Sequence, residues 1–300
     1  MVTMPIIRFL LCFLAVGLSA AAQQIPVALT TDPPIDKAHP AAMESFQIPS
    51  HGAQLNAIAY LAAGAGPHPA VIVLHGFPGN ERNLDLAQAI RRAGWNAIYF
   101  DYRGSWGSPG AFSFGNSMED TVVAIAYLRD PANAVKLRTD PKRIALVGHS
   151  MGGLMAAYAG SHDSAILGTA MISAADMGLM SQRAAQGADP KATVVQLGAA
   201  LEKEDILPLA GCTGESLAKE LLANPKQFDF LDYASLFGSR PLLLVTSDDG
   251  LAPFSDMLAT AVRKQGDKRV TEVHFSTDHS YSDRRIALET TVLNWLAGLE

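Results

Sequence analysis

The stretch IALVGHSMGGLMAAYAG, Ile144 to Gly160, joins an apolar run to an alanine-rich helical segment through Gly148-His149-Ser150-Met151-Gly152-Gly153. A short apolar run that stops at glycine and restarts at once as a helix reads as strand, sharp turn, helix. Ser150 sits at the apex. Two readings compete for it: a nucleophile held exposed on a G-x-S-x-G elbow, or a small residue capping the helix that follows. The glycines on either side favour the elbow, because a turn this tight brings strand and helix too close for side chains at positions 148 and 152.

Working outward, the same alternation recurs. From Ala70 the chain reads AVIVL, NLDLAQAIRRAG, NAIYF, SMEDTVVAIAYLRD, RIALVGH, GLMAAYAG and AILGTAMISA, apolar runs alternating with segments of helical period. Continuous apolar strands linked through helices belong to a parallel sheet covered on both faces. Before this region, ESFQIPSHG and AQLNAIAYLAAG read as an antiparallel hairpin turning at Ser50-His51-Gly52. Alternation breaks after Ala175, and residues 176–238 offer helical pieces only, such as KATVVQLGAALEKE with Val194, Leu197 and Leu201 on one face. This segment is expected to be a helical cap. The pattern resumes with RPLLLVTS, a helix from about Pro253 to Lys264, the strand RVTEVHFS and a final helix IALETTVLNWLAGL.

HGFPG (His75–Gly79), DYRGSWGSPG (Asp101–Gly110), GHSMGG, DDGLAP and TDHS follow one another in an order that resembles the α/β-hydrolase superfamily, over residues 44–300. The resemblance implies an α/β-hydrolase fold: a mostly parallel sheet of about eight strands, helices on both faces and a cap insertion. It also implies a serine hydrolase, an esterase or lipase in kind, with similarity to prolyl-oligopeptidase-type hydrolase domains. A serine hydroxyl needs a base, and the base needs an orienting acid. Of the eight histidines, His279 in STDHSYSD stands where the family carries its base, whereas His75 and His149 belong to motifs whose histidines are structural.

The acid is open between neighbours. Asp249 precedes Pro253 by four residues, the spacing of the acid in many relatives; Asp248 is the alternative, and Asp176, one strand earlier, is a third candidate. The resemblance places the oxyanion donors on the backbone N–H groups of Met151 and Phe77. Asp101 and Arg103 are expected to brace a turn as a pair. Tyr102 and Trp106 are candidates for lining a binding pocket, with core packing as the alternative, and Met177, Leu179, Met180 and Phe228 of the cap are read the same two ways.

Composition bounds the rest. With 300 residues, 49% of them apolar, the chain can bury a large core, and a net charge of −6 without like-charge blocks points to neither nucleic acid nor an anionic membrane as a partner. Arg8 followed by FLLCFLAVGL and Ala20-Ala21-Ala22 reads as a signal peptide over residues 1–22, cleaved before an arm at 23–43. Export to the periplasm or medium is then expected, with Cys212 left as a lone, unreactive thiol. Metal-ligand spacings, Rossmann glycines and a P-loop are missing, so the expected chemistry needs no cofactor. The expected function is an exported carboxylesterase for small to medium esters. Its alternatives are a dipeptidyl- or acylaminoacyl-peptidase-like enzyme, a thioesterase, lactonase or perhydrolase, and a non-catalytic binding protein of the same fold.

Overall fold

The computed structural model describes residues 24–266 and 269–299. The expected signal peptide, residues 1–22, lies outside them. Among the described residues eight strands form one sheet in the order β1-β2-β4-β3-β5-β6-β7-β8. They are β1 (Ala42–Ser50), β2 (Ala53–Leu61), β3 (His68–Leu74), β4 (Asn96–Phe100), β5 (Thr139–His149), β6 (Thr169–Ile172), β7 (Leu242–Ser247) and β8 (Val270–Phe275). β1 and β2 are antiparallel and β2 runs antiparallel to β4; every later pairing is parallel. The hairpin turns through His51 and Gly52, both at positive φ (46° and 84°), as a two-residue loop with the twist of its strands requires.

The helices are α1 (Leu84–Arg92), α2 (Phe114–Arg129), α3 (Pro131–Lys136), α4 (Met151–His162), α5 (Met177–Ala185), α6 (Pro190–Glu202), α7 (Gly214–Ala223), α8 (Ala252–Lys264) and α9 (Arg285–Ala297). Period-two alternation sends Ile72, Leu146 and Leu244 into one core with α2, α4, α8 and the cap. It sends Val73, Val147 and Val245 into the other, with α1 and α9. Both sheet faces are therefore covered, which is why the central strands read as unbroken apolar runs.

Two differences from the sequence reading have local causes. α2 begins at Phe114, upstream of the expected SMEDTVV segment, because the Ser113 side chain caps the Asn116 amide and the Glu220 carboxylate accepts the Phe114 and Gly115 amides. β8 is an edge strand with mostly exposed side chains, among them Glu272 paired with Arg263, and charge on such an edge discourages further strand addition.

The cap comprises α5, α6, α7 and 3₁₀ turns at Pro225–Phe228 and Phe230–Leu236. It is clipped to the loop after β4 by Trp106 N–H to Pro208 O (2.9 Å), Ala210 N–H to Gly104 O (2.7 Å) and Phe112 N–H to Ala210 O (2.8 Å). The arm lies along α1 and α9, where Arg92 Nε donates to Ala28 O (2.6 Å). Among the described residues no helix is long and apolar enough to cross a membrane.

Candidate active site

Ser150 occupies the turn between β5 and α4 with φ 58° and ψ −121°, a conformation that costs a non-glycine residue strain of order 1–3 kcal/mol. The reason for the flanking glycines is steric. A Cβ on Gly148 would stand 1.9 Å from Gly152 O, and one on Gly152 would stand 2.1 Å from Leu74 O. The elbow lifts Ser150 into a cavity of about 210 Å³ that it shares with Gly76, Phe77, His149, His279 and Ser280 of the core and Glu204 of the cap. Larger hollows of about 560 and 590 Å³ lie elsewhere on the surface and contain none of these residues.

His279, in the loop between β8 and α9, donates Nδ1–H to Asp249 Oδ2 at 2.7 Å. That bond fixes the tautomer: Nδ1 carries the proton, and Nε2 keeps a lone pair for accepting one. No hydrogen bond joins His279 to the Ser150 hydroxyl among the described residues; such bonds commonly tighten only around substrate. The structure brings Asp249, not Asp248, to the histidine. Asp248 is exposed and turns to the β8 side, where His274 Nε2 (3.0 Å) and Ser276 Oγ (2.7 Å) hold it.

The Asp249 side chain is only 5% exposed. Burial works to raise its carboxyl, but the bonds from His279 and the Leu251 amide, with the Ser173 and Ser247 hydroxyls nearby, hold it well below the ordinary carboxylate range. Asp176, the third candidate, is fully buried elsewhere: it caps α5 through the Leu179 amide (2.8 Å) and accepts from Phe230 N–H (3.2 Å). Burial, reinforced by the neighbouring Asp229 carboxylate, pushes it up to about 8. It does not reach His279.

Met151 N–H opens α4, where no intrahelical acceptor exists, and Phe77 N–H belongs to the loop after β3; among the described residues neither amide is spent on another backbone group. Both flank Ser150, and the positive end of the α4 dipole adds to their field. His149 acts as a clamp. Its ring lies 4.6 Å from that of His279, and its Nε2–H donates to the His279 carbonyl at 2.8 Å. Burial drives the His149 imidazole down to about 3, so the clamp stays neutral beside the base.

With this geometry in place, a family described as the alpha/beta hydrolase fold matches residues 69–191. Solved structures similar to the chain include an esterase from Pyrobaculum calidifontis (19% identity, 87% of each chain covered, TM-score 0.63). Others are a ferulic acid-bound protein of Butyrivibrio proteoclasticus (19%, 84% of this chain and 98% of that one, 0.64) and a carboxyl esterase from Bacillus coagulans (15%, 86% and 99%, 0.64). The chain has the α/β-hydrolase fold. An uncharacterized protein of Mycobacterium tuberculosis, in strains CDC 1551 / Oshkosh and ATCC 25618 / H37Rv, is 35% identical over 92 residues, 30% of this chain. The match spans less than a third, 31%, of that relative's length. The resemblance expected from the motifs thus holds for the fold.

The remaining motif residues of this α/β-hydrolase fold support the site from behind. His75 is buried, donates Nδ1–H to Gly76 O (2.8 Å) and is driven down to about 4 by burial, so it too is neutral. Tyr102, a candidate pocket residue, is fully buried beneath His75 at 4.5 Å between rings and lies outside the cavity lining. Trp106 is outside it as well. Its Nε1–H donates to Pro78 O (2.8 Å) while Arg82 stacks on its ring (4.0 Å), so it braces the HGFPG loop instead. Asp101 and Arg103 are not a pair: Asp101 accepts from Tyr99 (2.7 Å), and Arg103 Nε donates to Asp120 Oδ1 (2.7 Å).

In the cap, Phe228 packs on Phe114, Met177 is buried against the core and Met180 is largely exposed; none of these, nor Leu179, lines the Ser150 cavity. Glu204 is the cap residue that does. The sequence reading passed over Glu204, and also Ser173, Ser247 and Tyr281, which gather near Asp249 only after β6, β7 and the β8–α9 loop come together. Ser247 and Ser173 do stand at the carboxyl ends of apolar runs, the one local signal available. Among the described residues no group of three or more His, Cys, Asp or Glu could hold a metal.

Proposed function

We propose that the protein hydrolyses small to medium carboxylic esters through Ser150, His279 and Asp249. The observation that carries this reading is the 2.7 Å His279–Asp249 bond in the wall of the cavity that holds Ser150 on its strained elbow. His279 Nε2 takes the hydroxyl proton as Ser150 Oγ attacks the acyl carbon, and the oxyanion that forms turns to the amides of Met151 and Phe77. Loss of one such donor costs about 3–4 kcal/mol. Collapse of the tetrahedral species breaks the bond to the alcohol oxygen, which leaves with the proton from His279. Water then attacks the acyl-serine, giving its proton to His279, and release of the acid restores Ser150.

The likeness to an esterase, a lipase and a carboxylesterase supports ester over amide chemistry, and the modest cavity supports a small acyl group. The test is labelling by a fluorophosphonate: the wild type reacts and Ser150→Ala does not. A panel of esters of rising acyl length beside amino-acid anilides then fixes the leaving group, and turnover confined to anilides would overturn the ester reading. Export is part of the proposal and rests on residues 1–22 alone; N-terminal sequencing of the mature protein should begin at Gln23.

A further inference from the structure

Three hydroxyl groups converge behind the acid. Ser173 Oγ lies 2.9 Å from Ser247 Oγ and 2.9 Å from Tyr281 OH, and Ser247 stands two residues before Asp249. All three residues are buried, at 1%, 1% and 0% exposure. A hydroxyl withdrawn from water is costly unless it is hydrogen-bonded, and alanine or phenylalanine would fill the same space without that demand. Here the demand has a common target. An ionised carboxylate has no proton to give, so the hydroxyl protons of the set run toward it, from Tyr281 to Ser173 and from Ser173 to Ser247.

The backbone points the same way. Ser173 is held at φ 42° and Tyr281 at φ 57°, where glycine would be the easier residue, so each accepts strain to place its hydroxyl. Ser173 directly follows β6, Ser247 ends β7, and Tyr281 lies two residues beyond His279 in the loop after β8. One contact, Tyr281 to Ser173, therefore ties the loop of the base to the strand ends that carry the acid.

We propose that Ser173, Ser247 and Tyr281 are positioning residues that hold Asp249 aimed at His279. The proposal rests on the reading of Asp249 as the partner of the base in ester hydrolysis. Withdrawing a donor leaves the carboxylate with more negative charge to offer His279, and it loosens the tether of the His279 loop.

The experiment compares the wild type with Tyr281→Phe, Ser247→Ala, Ser173→Ala and Ser173→Gly. The ring-proton resonance of His279, followed by NMR against pH, should move to a different midpoint in Tyr281→Phe and Ser247→Ala than in the wild type, because the carboxylate it faces is held differently. Turnover of a p-nitrophenyl ester, normalised to sites titrated with fluorophosphonate, should fall about 5- to 20-fold in kcat with KM within about 2-fold. Ser173→Gly relieves the backbone strain, so its loss of rate alongside Ser173→Ala assigns the effect to the hydroxyl. The double variant Ser173→Ala/Tyr281→Phe should lose less than the product of the single losses, as expected for one connected unit. Superimposed titrations in all four variants, or a Ser173→Gly protein with wild-type kcat per site, would overturn the proposal. Absence of ester turnover by the wild type would sink the esterase reading alone, since the NMR titration decides the positioning of Asp249 by itself.

Discussion

Asp249 and Asp176 follow adjacent parallel strands, β7 and β6, and both carboxyl groups are withdrawn from solvent. Beyond that they part. Asp249 accepts from His279 and the Leu251 amide, with two serine hydroxyls nearby, and stays charged. Asp176 has two backbone amides but also a second carboxylate, Asp229, and two like charges in a buried space cannot both remain. Burial is common to the two sites; the neighbours decide the charge. One edge of the sheet thus carries an acid fit to support a cationic imidazole and, a strand away, a buried carboxyl raised by its setting where the cap meets the core.

The largest break in this contrast should come from Asp249→Asn. The amide keeps the volume but removes the charge and favours the wrong histidine tautomer, so kcat for ester hydrolysis should fall about 10³- to 10⁴-fold, while Asp176→Asn stays within about 3-fold. Steady-state kinetics on purified variants check both, and an equal loss in the two would remove the distinction.

The pH dependence of stability should separate the two carboxyls next. Asp176 is raised in the fold, so its contribution is full below the unfolded value near 4 and is lost as pH rises through about 8. Asp249 is depressed, so its contribution is present above about 4 and is lost as pH falls below it. Calorimetry from pH 6 to 9 should show the wild type losing about 3 °C or more on the alkaline side, and Asp229→Asn should flatten that slope. A wild-type slope unchanged by Asp229→Asn would mean that Asp229 does not raise Asp176.

The smallest effect is expected at Asp248. Its side chain is exposed and serves His274 and Ser276, so Asp248→Asn should change kcat/KM by less than about 2-fold, measured under the same conditions as Asp249→Asn. A larger loss would sharpen the comparison by showing that the turn holding Asp249 depends on its neighbour.

How far the sequence carried these assignments varies with the range of the forces involved. The strands of the sheet's centre were legible because burial on both faces leaves an uninterrupted apolar run, and the elbow was legible because a steric rule fixes its glycines locally. The cap's helices could be counted but not placed: Met177 and Phe228 pack the core, and Glu204, an exposed residue at the polar end of the helical segment KATVVQLGAALEKE, lines the cavity instead. Arg103 looked like a partner for Asp101 two residues away. Its partner is Asp120, brought across by α2, and nothing in the spacing of charges along a loop specifies that.

By itself, then, the sequence determined a parallel sheet with a serine elbow, and a histidine and two adjacent aspartates placed late in the chain, because each of these follows from side-chain alternation, glycine sterics or motif order. Tertiary structure decided which aspartate turns inward, which histidine becomes a neutral clamp and which hydroxyls surround the acid. Those outcomes depend on through-space distances among the ends of β6, β7 and β8, and such distances exist only once the strands lie side by side.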